Sequence, residues 1–172
     1  MGNLLFTAGG RIDAHTFKRG AVILLTINVL LWQAWLISLG AGVIAFFASL
    51  VLVYCWGCLF AKRFHDASKS GWMYLLIFII FLVVSYMVGS VLLGVMSPDI
   101  VTEAENLQES IDMDNPDVEY LLGVYDRMLK AMSLPFTISY LAVGGALAFG
   151  VNAMLKTDPE PNEHGDSGLT FD

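Results

Sequence analysis

The sequence predicts an all-α, polytopic membrane protein: a four-helix transmembrane bundle with two short amphipathic periplasmic helices between spans three and four. Of its 172 residues, 56% are hydrophobic and 15% are charged, and the mean hydropathy is +0.67. A chain this short and this apolar cannot bury its hydrophobic surface in one water-soluble core. Four apolar stretches each approach the roughly 20 residues with which a helix crosses about 30 Å of hydrocarbon. None of them contains Lys, Arg, Asp, Glu or His: 21–39, 41–61, 72–96 and 135–155. Because a bilayer offers no water to backbone groups, each stretch is expected to be a helix.

The four spans divide the chain into an ordered series of segments. These are a cytoplasmic arm (1–20), spans one to three (21–96) with a cytoplasmic loop (62–71), an acidic periplasmic segment (97–134), span four (135–155) and a cytoplasmic tail (156–172). Gly40, Ala41 and Gly42 separate the first two spans, and their small side chains favour a tight reversal between packed neighbours. The polar start of the chain does not fit a cleavable signal peptide, so the first span is expected to be retained.

The distribution of basic residues predicts the orientation, because short cytoplasmic loops carry an excess of Lys and Arg. Basic residues on one side of the spans are Arg11, Lys18, Arg19, Lys62, Arg63, Lys69 and Lys156. Arg127 and Lys130 alone lie on the other side. Both termini are therefore predicted to be cytoplasmic, in a bacterial inner membrane.

Charge and cysteine content exclude some function classes. The formal net charge of −7 argues against a nucleic-acid partner, because phosphate binding requires an excess of clustered Lys and Arg. Cys55 and Cys58 form a C-x-x-C pair, which raises a redox interpretation. That chemistry requires an exposed thiolate on a thioredoxin-like scaffold, whereas both cysteines lie inside an apolar stretch. Packing cysteines are the favoured interpretation.

The acidic segment carries two helix signals. Ser97 and Pro98 form a start signal, followed at helical spacing by the apolar residues Ile100, Ala104, Leu107 and Ile111. Asn115, Pro116 and Asp117 form a second start signal. The apolar stripe that follows it includes Leu121, Leu122, Tyr125, Met128 and Leu129. Such a stripe is expected either to cap the spans or to dock a membrane-protein partner or a second copy of the chain.

A dense polar run joins spans two and three. It includes Lys62, Arg63, His65, Asp66, Gly71 and Trp72. One interpretation is an ordinary membrane-boundary anchor, in which Lys and Arg reach lipid headgroups and Trp72 joins the interfacial belt. The sharper interpretation has His65 and Asp66 moving protons or holding a metal. A closed metal site draws three or four ligands, so no metal, cofactor or catalytic set is assigned.

Three pieces of the sequence resemble the domain-of-unknown-function 805 family of small bacterial inner-membrane proteins. They are Gly10-Arg11-Ile12, the run from Lys62 to Trp72, and Pro161-Asn162-Glu163 with Gly165. The chain departs from the family pattern at Ala14 and Lys18, where a basic residue and Trp are usual, and at His164, where Tyr is usual. The long acidic insertion is also atypical. The resemblance implies an integral membrane protein without an established activity, and it implies that the three pieces act together.

The orientation places these pieces on one face of the membrane, which leads to a specific hypothesis. Arg11, Arg63, His65, Asp66 and Asn162 are expected to form one hydrogen-bonded network. That network would hold the arm and the tail against the central run. The tail would then be ordered near Asn162, although its composition alone predicts disorder.

Polar and small residues within the spans predict helix packing. Gly144, Ala148 and Asn152 recur at steps of four in span four, with Gly145 beside them, which predicts close approach by another helix. The bilayer and a membrane-protein partner or second copy are the expected partners.

The sequence is compatible with three alternative functions. The favoured one is an accessory, scaffold or regulatory component of a membrane complex. The alternatives are a small transporter or channel for a neutral or lipid-like substrate, and an enzyme at the cytoplasmic face using His65 and Asp66. Ion-coupled carriers usually have ionisable residues or broken helices at mid-membrane, and this sequence shows neither an internal charge nor a clear inverted repeat.

Overall fold

The structure is a computed structural model, which describes residues 2–110 and 117–165. About 81% of the described residues are helical and none of them forms a strand, which confirms the all-α prediction. The α-helices are α1 (Gly2–Leu5), α2 (Ala14–Trp32), α3 (Leu39–Asp66), α4 (Met73–Met96), α5 (Pro98–Ser110), α6 (Val118–Ser139) and α7 (Gly145–Met154). A 3-10 turn, Gln33–Leu36, extends α2, and a π turn, Tyr140–Gly144, joins α6 to α7.

Among the described residues, four helical stretches are long and apolar enough to cross a membrane: Ala14–Leu36, Leu39–Asp66, Met73–Met96 and Val118–Met154. The four predicted spans are thus present, and the chain has the character of a multi-pass membrane protein. Their outward faces carry large apolar side chains such as Leu30, Ile44, Phe47 and Val91, each more than half exposed. A water-soluble monomer rarely exposes so many of these residues in one continuous surface.

The first span begins earlier than predicted. The carboxylate of Asp13 accepts a hydrogen bond from the backbone N–H of Thr16 at 2.7 Å, so it caps α2. Residues 14–20 were predicted to belong to the arm but form the first turns of this helix. The arm is correspondingly shorter and ends at the cap.

The reversal between spans one and two is also displaced. It lies at Ile37 and Ser38, and the Ser38 hydroxyl caps α3 by accepting from the N–H of Ala41 at 3.1 Å. The predicted turn at residues 40–42 is therefore wrong, because these residues form the first turn of α3. Gly42 has a different role there: a Cβ at this position would lie 2.0 Å from the Trp35 ring. The absence of a side chain lets Trp35 pack directly on the helix backbone.

The second span extends further than predicted. Residues 62–66 were assigned to a loop, but α3 continues to Asp66. The helix ends where Ser68 adopts a positive φ of 52° and the N–H of Lys69 bonds to the carbonyl of Phe64 at 2.9 Å. Lys62, Arg63 and Asp66 of the central run consequently lie in the C-terminal part of α3.

The fourth span differs most from the prediction. The first amphipathic helix is present as α5, but the second is continuous with the span, since α6, the π turn and α7 form one 37-residue stretch. Pro135, the predicted first residue of span four, lies inside α6. Asp117 caps α6 through the N–H of Tyr120 at 3.0 Å. The predicted signals at Ile111, Asn115 and Pro116 lie outside the described residues.

The length of this stretch has a simple consequence. At 1.5 Å per residue it measures about 55 Å, whereas the hydrocarbon core is about 30 Å thick. The N-terminal part of α6 must therefore extend beyond the hydrocarbon or run strongly tilted through it. We call residues 118–131, which include the charged Asp126, Arg127 and Lys130, the α6 extension.

The core lies near the end of the bundle that holds the arm and the described part of the tail. Phe17 and Leu24 of α2 pack there with Leu59, Phe60 and Phe64 of α3. Further along, α4 packs on α6, and a Cβ on Gly89 would lie 2.7 Å from the Phe136 ring. The best-buried part of the molecule is thus next to the polar motif.

Candidate functional site

Three buried charged side chains form the centre of the candidate site. Arg11 precedes α2, and Arg63 and Asp66 lie on the last turn of α3. Each is at most 1% exposed. We call Arg11, Arg63 and Asp66 the charge cluster. Charged groups buried so completely require partners, because removing them from water is costly.

Asp66 connects the two arginines. One oxygen of its carboxylate accepts from Arg63 Nη1 at 2.6 Å and from the Thr157 hydroxyl at 2.8 Å. The other lies 3.4 Å from Arg11 Nε. The backbone carbonyl of Asp66 accepts from the N–H of Asp158 at 2.8 Å. One residue therefore contacts the arm, its own helix and the tail.

Arg63 holds the end of α7. Its Nε donates to Asn152 Oδ1 at 2.6 Å, and Nη2 donates to the carbonyl of Asn152 at 3.3 Å and to that of Leu155. Asn152 lies in the last turn of α7 and Leu155 is its C-cap, so both carbonyls are where helical hydrogen bonding ends. The negative end of the helix dipole also favours a cation at this place. Arg63 thereby joins the end of span two to the end of span four.

Arg11 holds the tail. Its Nη1 donates to the carbonyls of Glu160 at 2.8 Å and Gly165 at 3.3 Å, and its Nη2 donates to the carbonyl of Asp158. A guanidinium presents five donors in a planar fork, which suits several carbonyls arranged around it. The tail therefore wraps around the side chain of the arm.

The charges of the cluster do not cancel within it. Two guanidinium groups share one carboxylate, and the remaining positive charge faces backbone carbonyls of α7 and the tail. Within the described residues only Arg11 Nε and Asp66 Oδ1 of the cluster have no hydrogen bond, and these two atoms face each other. The other buried donors of the cluster bond to the protein itself. Chemically, the arrangement is suited to holding segments together.

Asn162 attaches the far part of the tail. Its Nδ2 donates to the carbonyl of His65 at 3.0 Å and to the Ser68 hydroxyl at 2.9 Å. Its backbone pairs with Gly165 through bonds of 3.1 and 3.0 Å, which close a tight turn. Gly165 has a φ of 122°, which favours glycine. The described tail, to residue 165, is therefore ordered despite its composition.

His65 stacks on His164 of the same turn. The ring centroids are 3.7 Å apart with planes 10° apart, and His65 Nδ1 lies 3.2 Å from the carbonyl of Gly10. The Asp66 carboxylate faces the arginines instead. The hypothesis of a His65 and Asp66 pair that moves protons thus lacks a contact between the two side chains in the described structure.

Lys62, Gly71 and Trp72 complete the central run. Lys62 is fully buried, and its Nζ donates to the carbonyl of Leu4 at 3.0 Å. A Cβ on Gly71 would lie 2.9 Å from both Ala61 Cβ and His65 Nε2, so the loop packs closely on α3. Trp72 is 79% exposed. The headgroup-anchor interpretation is therefore wrong for Lys62 and Arg63, whose charged ends face the protein, but it remains a prediction for Trp72.

The small-residue face of span four points into the bundle. A Cβ on Gly144 would lie 3.5 Å from Leu25 and from Phe81, and Ala148 is buried. Gly145 has no such neighbour within 4 Å. Asn152, predicted as a packing residue, bonds to Arg63 and donates to the carbonyl of Ala14 at 3.2 Å. It belongs to the polar site, which its spacing alone did not indicate.

Two site residues were missed by sequence reasoning. Thr157 bonds to Asp66, and the Asp158 carboxylate accepts from the Ser68 hydroxyl and from the N–H of Glu160. These two bonds lower the pKa of Asp158 below its usual value. The carboxylate is thus charged at neutral pH, and its contact with Ser68 weakens only in acid. Both residues follow span four directly, and this position was the sequence feature that could have placed them in the site.

The predicted partner or cap surface lies on the α6 extension. Leu122 and Tyr125 are 50% and 47% exposed, whereas Leu121, Met128 and Leu129 are half-buried. The opposite side of the extension faces the protein, because Val124 is fully buried. An ion pair between Arg127 and Glu103 ties the extension to α5. The stripe is consequently divided between a packed side and an open side.

Replacement of Asn162 by Ala should release the tail while the bundle remains folded. The change removes the two bonds from Nδ2 and the cap on the N–H of His164, at about 1 kcal/mol for each net hydrogen bond. Limited proteolysis should therefore cut the tail at least about fivefold faster. An Asn28→Ala variant, with its change inside span one, is the control. Equal cutting of wild type and Asn162→Ala would contradict the attachment.

Comparison with known proteins identifies a family. The model of the family described as "Protein of unknown function (DUF805)" matches residues 5–166, so it includes the arm, all four spans and the tail turn. No curated protein and no solved structure is significantly similar to the chain. The match contains every residue of the charge cluster as well as the acidic segment. Because it extends over nearly the whole chain, this protein belongs to the DUF805 family.

Proposed function

We propose that this protein is a non-catalytic accessory, scaffold or regulatory component of a larger complex in a bacterial inner membrane. The main support is that the polar groups of the motif are used internally. The charge cluster and Asn152 are at most 2% exposed and bonded to the protein's own backbone and side chains. A catalytic acid or base must reach a substrate, and these groups have no open face.

A docking surface supports the same proposal. Leu122 and Tyr125 project from the α6 extension, and Val118 and Tyr120 at its start are 60% and 53% exposed. The 37-residue stretch is longer than the hydrocarbon core is thick, which favours a position beyond the hydrocarbon for this segment. Exposed aromatic and Leu side chains there are suited to a protein partner, because such residues supply much of the energy of interfaces.

The proposed orientation follows the basic residues. The arm and the tail meet at the charge cluster, so they lie at one end of the bundle. The excess of Lys and Arg on that side favours the cytoplasm, and the α6 extension would then be periplasmic. A membrane-impermeant thiol reagent tests this orientation in intact cells, because it should label single cysteines introduced at exposed positions of the α6 extension and not those introduced in the arm.

Pull-down from native membranes tests the proposed function. A Leu122→Ser/Tyr125→Ser variant should recover its partner at least about fivefold less well than wild type, because it removes apolar contact area. A Leu76→Ser/Tyr86→Ser variant carries the same changes on exposed positions of α4 and should retain the partner. Purification of a partner-free monomer in mild detergent would count against the proposal, and so would equal loss in both variants.

One observation favours a second candidate, a small carrier for a neutral or lipid-like substrate. A cavity of about 90 Å³ lies within the bundle between α2, α3, α4 and the π turn. Its wall is largely aromatic and contains no charged residue: Asn28, Val53, Trp56, Phe60, Tyr74, Ile77, Phe78, Phe81, Tyr140, Gly144 and Leu147. π turns occur frequently at functional sites. Flux across reconstituted vesicles would support this candidate, and its absence for a panel of neutral solutes would leave the accessory role.

A further inference from the structure

The outer face of α2 carries a cluster of basic side chains that takes no part in the charge cluster. His15, Lys18 and Arg19 lie at helical spacing on one side of the helix, followed at the next turn by Val22 and Ile23. All five line a shallow groove of about 420 Å³. The inner face of the same helix is different, because Phe17, Ala21 and Leu24 are fully buried there.

The basic side chains of this groove are free to bind an external anion. His15, Lys18 and Arg19 are all exposed. In residues 2–110 and 117–165, neither Lys18 nor Arg19 forms an ion pair or a side-chain hydrogen bond. The nearest acid in sequence, Asp13, is engaged as the cap of α2. The other arginines at this end of the bundle, Arg11 and Arg63, are buried and face inward.

The order of the residues along α2 corresponds to the order of groups in a phospholipid. Val22 and Ile23 lie about 6 Å deeper along the helix axis than Lys18 and Arg19, at 1.5 Å per residue. The helix is one of the four candidate spans, so this axis crosses the bilayer. Long basic side chains at the end of a span extend towards the headgroups, while the residues below contact acyl chains. The groove therefore presents cations above an apolar wall.

We propose that this groove is a binding site for an anionic phospholipid. Lys18 and Arg19 bind the headgroup phosphate, His15 contributes a hydrogen bond, and Val22 and Ile23 contact the first part of an acyl chain. The inference requires only that α2 spans a bilayer, so it is independent of the accessory role proposed above. It does not depend on which side of the membrane the groove faces.

The basic side chains would also suit a soluble phosphate ester. The apolar wall formed by Val22 and Ile23 favours a phospholipid over such an ester. A lipid that places its phosphate at Lys18 and Arg19 has its acyl chain alongside Val22 and Ile23, whereas a soluble ester has no group that reaches this apolar wall. Electrostatic attraction of about 1 kcal/mol for each basic residue near an anionic surface corresponds to roughly fivefold in affinity per residue. Removing both charges should thus have a measurable effect.

Native mass spectrometry of the full chain in detergent tests the proposal. The protein is titrated with phosphatidylglycerol and, separately, with phosphatidylcholine as the zwitterionic control. Lys18→Gln/Arg19→Gln should bind phosphatidylglycerol at least about tenfold more weakly than wild type, with little change for phosphatidylcholine. Lys69→Gln/Lys156→Gln removes the same charge from two other exposed positions and should change phosphatidylglycerol binding less than about twofold.

Two further measurements separate the outcomes. The ratio of the two lipid affinities is compared within each preparation, since a misfolded variant would lose both and leave the ratio unchanged. Glycerol 3-phosphate is the soluble probe, and a Val22→Ser variant should weaken phosphatidylglycerol but not this probe. Equal loss in the two charge variants, no preference for phosphatidylglycerol in wild type, or binding of glycerol 3-phosphate as tight as the lipid would each overturn the proposal.

Discussion

An Asp66→Asn variant should lose about 3–5 kcal/mol of folding free energy, the largest effect expected of any single change in this chain. The carboxylate is fully buried and is the one acidic group in the charge cluster, which also holds two arginines. The neutral amide removes the counter-charge that the two guanidinium groups share. An amide N–H would also face the donors of Arg63 or Arg11. The variant should therefore unfold at a much lower temperature in detergent micelles.

Asp158→Asn is the matched control for this experiment. It makes the same chemical change in the tail, where the carboxylate accepts from the Ser68 hydroxyl and the N–H of Glu160. The Arg11 bond to residue 158 uses the backbone carbonyl, which the substitution leaves intact. A much smaller loss than for Asp66→Asn is expected, because water can replace the bonds that this carboxylate loses. Similar unfolding temperatures for Asp66→Asn and wild type would mean that the cluster does not stabilise the fold.

A Gly42→Ala variant should lose about 1–3 kcal/mol, whereas Gly40→Ala should lose nothing and gain up to about 1 kcal/mol. Both glycines lie in the first turn of α3, so both substitutions raise helix propensity equally. A Cβ at residue 42 would be 2.0 Å from the ring of Trp35, while a Cβ at residue 40 has no neighbour within 4 Å. A loss of stability in one variant and none in the other would therefore report the close approach of Trp35 to residue 42.

Thermal unfolding followed by tryptophan fluorescence suits this comparison. Displacement of Trp35 by Gly42→Ala should change the emission spectrum of the folded state and lower the unfolding midpoint. Gly40→Ala should leave the emission spectrum unchanged and should not lower the midpoint. A Gly42→Ala variant as stable as Gly40→Ala would show that the indole can move aside without cost. The proposed role of Gly42 would then be wrong.

The number of spans could be predicted from the sequence because the physical requirement is local. Each apolar stretch must bond its own backbone in lipid, and stretch length is directly visible. The ends of the spans were predicted less well, since they depend on capping side chains such as Asp13 and Ser38 and not on hydropathy. Charge was misleading at Lys62 and Arg63, because these side chains are enclosed by other parts of the protein and not by lipid.

The candidate site was partly accessible from sequence for a related reason. Three motif pieces on one side of the membrane indicated that Arg11, Asp66 and Asn162 should lie together, and the structure contains their contacts. The partners Asn152 and Thr157 were not placed there, because no spacing rule links the end of one helix to the end of another. The fusion of the second amphipathic helix with span four was missed because Pro135 was taken as a boundary, although α6 continues through it.

The arm and the tail contact each other but lie far apart in sequence, which has a consequence for biogenesis. Arg11 emerges from the ribosome early, yet the carbonyl of Glu160 that it binds lies 149 residues later. Its contact with the tail can therefore form only after the last span has been synthesised and inserted. Until then, two guanidinium groups lack most of their acceptors, so a truncated or wrongly threaded product carries an exposed defect at this position. The charge cluster can therefore complete its contacts only when synthesis of the chain is nearly finished.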